Sequence, residues 1–306
     1  MTLVVARKTQ LGVRLAADMR LTDRSATQHG FLNARLKLVL VSPGQCIAYA
    51  GADSLALDTV RRVANAGLAP TDAACDLLEA HLKSAGEVEF LLASLDPCQL
   101  IAIKDGRREL CEASWLGDVD AFGEYQEHYH AAQYLPPAET FDSRAEADDM
   151  EVAARMGSGM AAAIHGPALD ASGQPVIPAG GQHATVGEAI VYAHRRVPHR
   201  KFGYAYCTHA RASPFAERSE SQTGVIPPDF GSAEKGAFSY FFLAPIEPGI
   251  AAVGIYFAEG RLGALYAPLV DDGPQTYRRL SLAAFVRRVA AEHRITLEGF
   301  GLANEW

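Results

Sequence analysis

The order in which its hydrophobic periods follow one another constrains this chain most. Residues 2–9 and 12–18 read as two short strands around Gly12. Residues 37–42 and 46–50 form another pair, with Pro43-Gly44 as the turn. Asp53 opens a helix to about Asn65, ended by Gly67, and Pro70-Thr71 lead a second, with Ala74, Leu77, Leu78 and Leu82 at helical spacing. Strands resume at 88–95, 99–104 and 108–114, the last two joined by Asp105-Gly106. A weak helix over 119–132, a Pro-containing insertion over 131–142 and a firm helix over 143–165 follow; Ser143 and Glu146 give the last a capping box. Residues 166–186 are irregular, 189–194 and 202–208 are strands, and 210–235 read as a long polar loop. Strands at 237–245, 250–258 and 261–267 and a helix over 276–293 close the chain, with Glu259-Gly260 turning the last hairpin. Strands, two helices, strands, two helices, strands: the string predicts an α+β fold, two packed sheets with helices outside, a four-layer αββα sandwich. Simpler α+β folds give the same coarse string.

Composition narrows the class. Among 306 residues, 49% are hydrophobic, so a large core can form; residues 2–208 are expected to make the main domain, with 209–306 as a C-terminal extension that could complete it. The net charge of -8 argues against nucleic-acid or anionic-membrane partners. Cys46, Cys75, Cys98, Cys111 and Cys207 are odd in number and form no C-x-x-C pair, which points to a reduced, cytoplasmic protein. Four of the five lie in apolar runs, where a plain core role is expected. No run is long and pure enough for a membrane span, and Arg7-Lys8 follow Leu3-Val4-Val5-Ala6 too early for a signal peptide.

Other motifs read as structural. His128 and His130 alternate, and His194 and His199 flank the basic run 195–201, but none joins Cys or carboxylates at metal-ligand spacing. The basic run reads as a solvated hairpin loop, without aromatic residues to stack bases. Gly260-x-x-Gly263 lacks the form of a phosphate loop, so neither metal nor cofactor is expected. Phe238, Tyr240, Phe241 and Phe242 read as a strand with a buried face.

The chemistry concentrates at the front. A small residue after Met1 permits removal of the initiator, which leaves Thr2 with a free α-amine. Such a residue carries both halves of a nucleophile pair: its Oγ attacks and its amine takes the proton. An α-amine titrates near 8 in isolation, and a nearby cation lowers that. Lys37, heading its strand, is the candidate cation. A buried ammonium needs a carboxylate, and Asp18, after the apolar Leu15-Ala16-Ala17, is the candidate partner.

With Thr2 as first residue, the opening resembles the catalytic β-type subunits of the proteasome and their bacterial relatives, which are N-terminal-nucleophile hydrolases. Thr2 falls on the nucleophile and Gly12 on the hairpin glycine. Ala16-Ala17-Asp18-Met19-Arg20 is similar to the family's A-A-D-x-R run, and Thr22 falls where the backbone pairs with bound peptide. After three extra residues, Lys37 takes the place of the catalytic lysine and Ala50-Gly51 that of the A-G pair, whose glycine N–H is an oxyanion donor. The match covers residues 2–60; from 60 to 118 and 189 to 208 only element order agrees, and beyond 209 nothing does.

The resemblance implies a threonine-type endopeptidase that works through an acyl-enzyme on a peptide or small amide, without a cofactor. Thr2, Asp18, Lys37 and Gly51 would be catalytic. It implies homo-oligomeric rings and leaves an unfoldase partner open. Leu21, Arg35, Tyr49 and Asp53 would line the pocket for the side chain before the cut, Tyr49 narrowing it and Arg35 favouring an acidic group, unless Arg35 and Asp53 only pair with each other. Arg20 and two further positions would support the N-terminus. The family's G-S-G-S turn corresponds to Trp115-Leu116-Gly117-Asp118, where Asp118 either replaces a serine's hydrogen bonds or caps the next helix. Its D-x-x-S-G-G stretch corresponds to His183–Glu188: Gly187 fits, Thr185 stands in for the serine, and the aspartate is missing. Gly157-Ser158-Gly159 has the right letters but lies in a helical pattern and reads as helix packing. These departures keep a catalytically inactive structural or binding protein as the alternative.

Overall fold

A computed structural model describes residues 2–19, 34–132, 143–165, 190–196, 200–207, 240–257 and 260–299. Within them the chain is mixed helix and strand, with five helices and three antiparallel five-stranded sheets. No helix among these residues is long and apolar enough to cross a membrane.

The first sheet runs β10-β9-β2-β1-β8, from β1 (Leu3–Thr9), β2 (Gly12–Asp18), β8 (Ala113–Gly117), β9 (Ile190–Arg196) and β10 (Lys201–Cys207). The second runs β3-β4-β5-β6-β7, from β3 (Leu38–Ser42), β4 (Gln45–Gly51), β5 (Val88–Leu95), β6 (Cys98–Lys104) and β7 (Arg107–Cys111). Side-chain alternation between two buried faces explains why the first four residues of β1, Leu3 to Ala6, are all apolar. Val4 and Ala6 turn toward the second sheet, while Leu3 and Val5 turn toward α3 (Val119–Ala131) and α4 (Arg144–His165). On the other side, α1 (Asp53–Ala66) packs on β3 and β4, and α2 (Pro70–Lys83) on β5 and β6, through Leu57, Val60, Ala74 and Leu77.

The local signals work as their chemistry requires. Gly67 ends α1 in the left-handed conformation at φ 60°. Pro70 opens α2, where its missing N–H costs nothing. Ser143 Oγ accepts the Glu146 N–H at 3.3 Å at the start of α4. Gly159 lies where α4 crosses α3: a Cβ there would stand 2.6 Å from the Tyr125 ring, so the glycine serves helix packing.

The third sheet belongs to the C-terminal third: β14-β13-β12-β11-β15, from β11 (Tyr240–Pro245), β12 (Val253–Phe257), β13 (Leu262–Tyr266), β14 (Gln275–Arg278) and β15 (Leu297–Glu298). Leu262, Ala264 and Tyr266 join the core shared with the first two sheets, and Leu265 faces α5 (Leu282–His293). Gly263 is required by that helix, since a Cβ would fall 2.2 Å from the Phe285 ring. Phe242 is buried in the shared core, while part-buried Phe241 and buried Leu243 pack on the α5 side.

Three expectations need correction. The run 108–114 is two strands: β7 pairs with β6 in the second sheet, and beyond Glu112 β8 pairs with β1 in the first. The last helix starts at Leu282 rather than 276. Ser281 caps it through the Ala284 N–H at 3.2 Å, and residues 275–278 pair with β13. Finally, Cys46 is a core residue, but Cys75 and Cys98 are exposed. Of the insertion expected over 131–142, Ala131 closes α3 and Ala132 is its C-cap; residues 133–142, the irregular stretch over 166–186 and the loop over 210–235 lie outside the described residues.

One side chain ties two sheet edges together. Tyr204 on β10 donates its hydroxyl to the Leu38 carbonyl at 2.7 Å and accepts the Leu40 N–H at 3.3 Å. Burial pushes its phenol well above the ordinary tyrosine range, so it stays protonated and able to donate.

Candidate active site

Three strand ends converge at the top of the two facing sheets. The β1–β2 register, with Val4 opposite Ala17, brings Asp18 beside the first residues of β1. The Leu3 N–H donates to Asp18 Oδ1 at 2.9 Å. Across the interface, Lys37 precedes β3 and is held by its carbonyl, which accepts the Tyr49 N–H at 3.2 Å.

The side chains form a closed polar cluster. Lys37 Nζ donates to Asp18 Oδ1 at 3.1 Å and to Oδ2 at 3.2 Å, and it also donates to Thr2 Oγ. The Thr2 hydroxyl donates to Asp18 Oδ1. Thr2, Asp18 and Lys37 are only 3%, 0% and 5% exposed. Two charges so deeply buried persist only as a hydrogen-bonded pair. The arrangement gives a hydroxyl oxygen a cation as donor and a carboxylate as acceptor, away from bulk water. An ammonium on that oxygen favours its anionic form, as an attacking alkoxide requires.

Gly51 and Gly117 are each fixed by a close backbone approach. Gly51 closes β4 at φ +105°, and a Cβ would lie 1.8 Å from the Glu87 carbonyl oxygen. Gly117 closes β8 at φ +101°, and a Cβ would lie 1.8 Å from the Thr2 carbonyl oxygen. No other residue fits either position. Asp118 does two things: its carboxylate accepts the Asp120 and Ala121 N–H groups, capping α3, and its own N–H donates to the Thr2 carbonyl at 2.7 Å.

Among the residues expected to line a pocket, Asp53 accepts Arg35 Nε–H at 3.0 Å and the Tyr49 hydroxyl at 2.8 Å. Arg35 and Asp53 therefore pair with each other. Burial above all, aided by the Asp53 charge, drives the Tyr49 phenol well above its ordinary range, so it remains a donor. Arg20, Leu21, Thr22 and Thr185 lie outside the described residues. Among the described residues, no cluster of His, Cys, Asp or Glu could hold a metal ion.

Gly117, which touches Thr2, and Glu89, which lies beside Gly117, carry little sequence signal. By sequence Gly117 is only part of a turn; its steric contact with Thr2 depends on β8 pairing with β1, which sets Gly117 opposite Leu3. Glu89, opposite Ala50 on β5, is half-buried, and its carboxylate accepts the Gly117 N–H. Its only sequence signal is a charged residue inside an apolar strand. No protein-family model matches this chain, and no curated protein matches it.

Proposed function

We propose that this chain is an N-terminal-threonine amide hydrolase. It is a threonine-type endopeptidase on a four-layer αββα scaffold similar to the catalytic β-type subunits of the proteasome. One observation carries the reading: a buried lysine ammonium hydrogen-bonds both the Thr2 hydroxyl and the Asp18 carboxylate. The pairing of α3 and α4 with the first sheet, and of α1 and α2 with the second, supports the scaffold.

In this mechanism, removal of Met1 frees the Thr2 amine. Thr2 Oγ attacks the substrate carbonyl carbon while its proton passes to that amine. Lys37 stabilises the oxygen as it loses the proton, and Asp18 holds Lys37. The Gly51 N–H receives the negative charge that develops on the carbonyl oxygen. The C–N bond then breaks, the amine returns its proton to the leaving group, and water hydrolyses the ester on Thr2. A cytoplasmic location, self-assembly and a peptide or small-amide substrate belong to the same proposal.

Intact mass tests the first step: the mature protein should lack Met1. Thr2→Ala should fold normally and reduce peptide hydrolysis to background. Lys37→Ala should be nearly as damaging to turnover. Unchanged turnover in Thr2→Ala would refute the nucleophile. A catalytically silent scaffold is the second reading, favoured by Asp118, whose carboxylate caps α3 where the family places a supporting serine. Retained Met1, with no acylation of Thr2 by a β-lactone, would select it.

A further inference from the structure

Among the described residues β8 is the outer strand of the first sheet, and side chains of the second sheet occupy its free edge. Glu112 and Asp118 bond toward β1: the Lys8 N–H donates to the Glu112 carbonyl and the Asp118 N–H to the Thr2 carbonyl, each at 2.7 Å. With Leu3 opposite Gly117, the alternation turns the backbone polar groups of Trp115 and Gly117 outward, away from β1. Lys104 Nζ donates to the Trp115 carbonyl at 3.2 Å, and the Glu89 carboxylate accepts the Gly117 N–H. The Lys104 ammonium also lies over the Trp115 ring, 5.1 Å from its centre. The register of β5 and β6, with Phe90 opposite Ile103, carries on to set Glu89 across from Lys104, and the two charges attract.

From these contacts we infer that Glu89 and Lys104 are positioning residues: together they clamp the end of β8, and through it they hold the Thr2 backbone for attack. The inference rests on the hydrolase reading above. A first residue frays unless something ties it down. With Met1 gone, Lys37 and Asp18 hold the Thr2 hydroxyl, and the Asp118 N–H holds the Thr2 carbonyl. Gly117 presses on that same carbonyl, with a Cβ position only 1.8 Å from its oxygen. A shift of residues 115–118 therefore passes directly to Thr2 and its amine. Misplacing such a group by about 1 Å slows attack on the order of 100-fold. The sheet alone does not need a charge here. Glu89 is half-buried between buried Val88 and Phe90, and burial raises its carboxyl. An acid kept in an apolar strand against that cost fits a role at the neighbouring site.

Peptide hydrolysis, labelling of Thr2 by a peptide epoxyketone and amide hydrogen exchange, all on the full chain, test this. Glu89→Ala should lower kcat about tenfold with KM unchanged. It should also speed exchange over residues 115–118 about fivefold, as loss of one hydrogen bond does. Glu89→Gln keeps an acceptor for the Gly117 N–H and should recover most of the turnover that Glu89→Ala loses. Lys104→Met leaves β5 untouched and covers the case in which Glu89→Ala fails to fold; it should slow turnover in the same direction. The double variant should be no slower than the worse single one, as members of one clamp require. Unchanged exchange over residues 115–118, a Glu89→Gln protein as slow as Glu89→Ala, or a raised KM with kcat held would each overturn the clamp and leave the nucleophile standing. Wild type that neither cleaves peptides nor takes the epoxyketone would overturn the hydrolase reading and the positioning role with it.

Discussion

Lys37 and Arg35 stand two residues apart, each facing an aspartate, and their surroundings set them apart. The Lys37–Asp18 side chains are 5% and 0% exposed; those of Arg35–Asp53 are 21% and 20% exposed. In the first pair, each charge has given up its hydration and relies on the other. In the second, water still reaches both, and their attraction is screened. Distance alone, 3.1 Å against 3.0 Å, does not distinguish them. Burial decides which pair the fold cannot lose, and the buried one is the pair that touches Thr2.

Removing one partner from each pair is the direct way to break this contrast. Asp18→Asn should cost about 3–5 kcal/mol in urea unfolding, because it leaves the buried ammonium without its carboxylate. Arg35→Ala should cost about 1 kcal/mol or less, and its coupling to Asp53 in a double-mutant cycle should shrink as salt rises. Similar costs for the two would mean that water reaches the Lys37 cluster.

Glu89 gives the smallest and most pH-dependent effect. Burial raises its carboxyl above the ordinary range, against the opposing Lys104 charge and the Gly117 N–H. A raised acid favours the folded state below its unfolded pKa, and that advantage is lost as pH rises through the folded value. Glu89→Gln should therefore melt higher than wild type at neutral pH, with the gap closing by about pH 4. A gap that widened in acid would reverse the assignment.

What could be read from sequence was local. The Gly12 hairpin, the Ser143 cap, the Gly67 stop and the candidate pairing of Asp18 with Lys37 each rest on residues close in sequence or on one charge seeking another. What could not be read was the crossing of the chain between sheets. Residues 108–114 read as one strand by letters, and only the pairing of β8 with β1 splits the run at Glu112. Likewise β14 has four residues, and its neighbour β13, not its own composition, makes it a strand. Arg279 adopts a left-handed φ of 61° just before Ser281, a break that no glycine or proline announces. The contact between residues 267–274 and Arg35 joins positions more than two hundred apart and left no pattern to detect.

Tyr204 has a further consequence. β3 is an edge strand, and the Leu38 carbonyl and Leu40 N–H are groups that an incoming chain would otherwise bind. A phenol that both donates and accepts occupies them in place of a sixth strand. The margin next to Lys37 is thus sealed against annealing with extended polypeptide, including another copy of this protein.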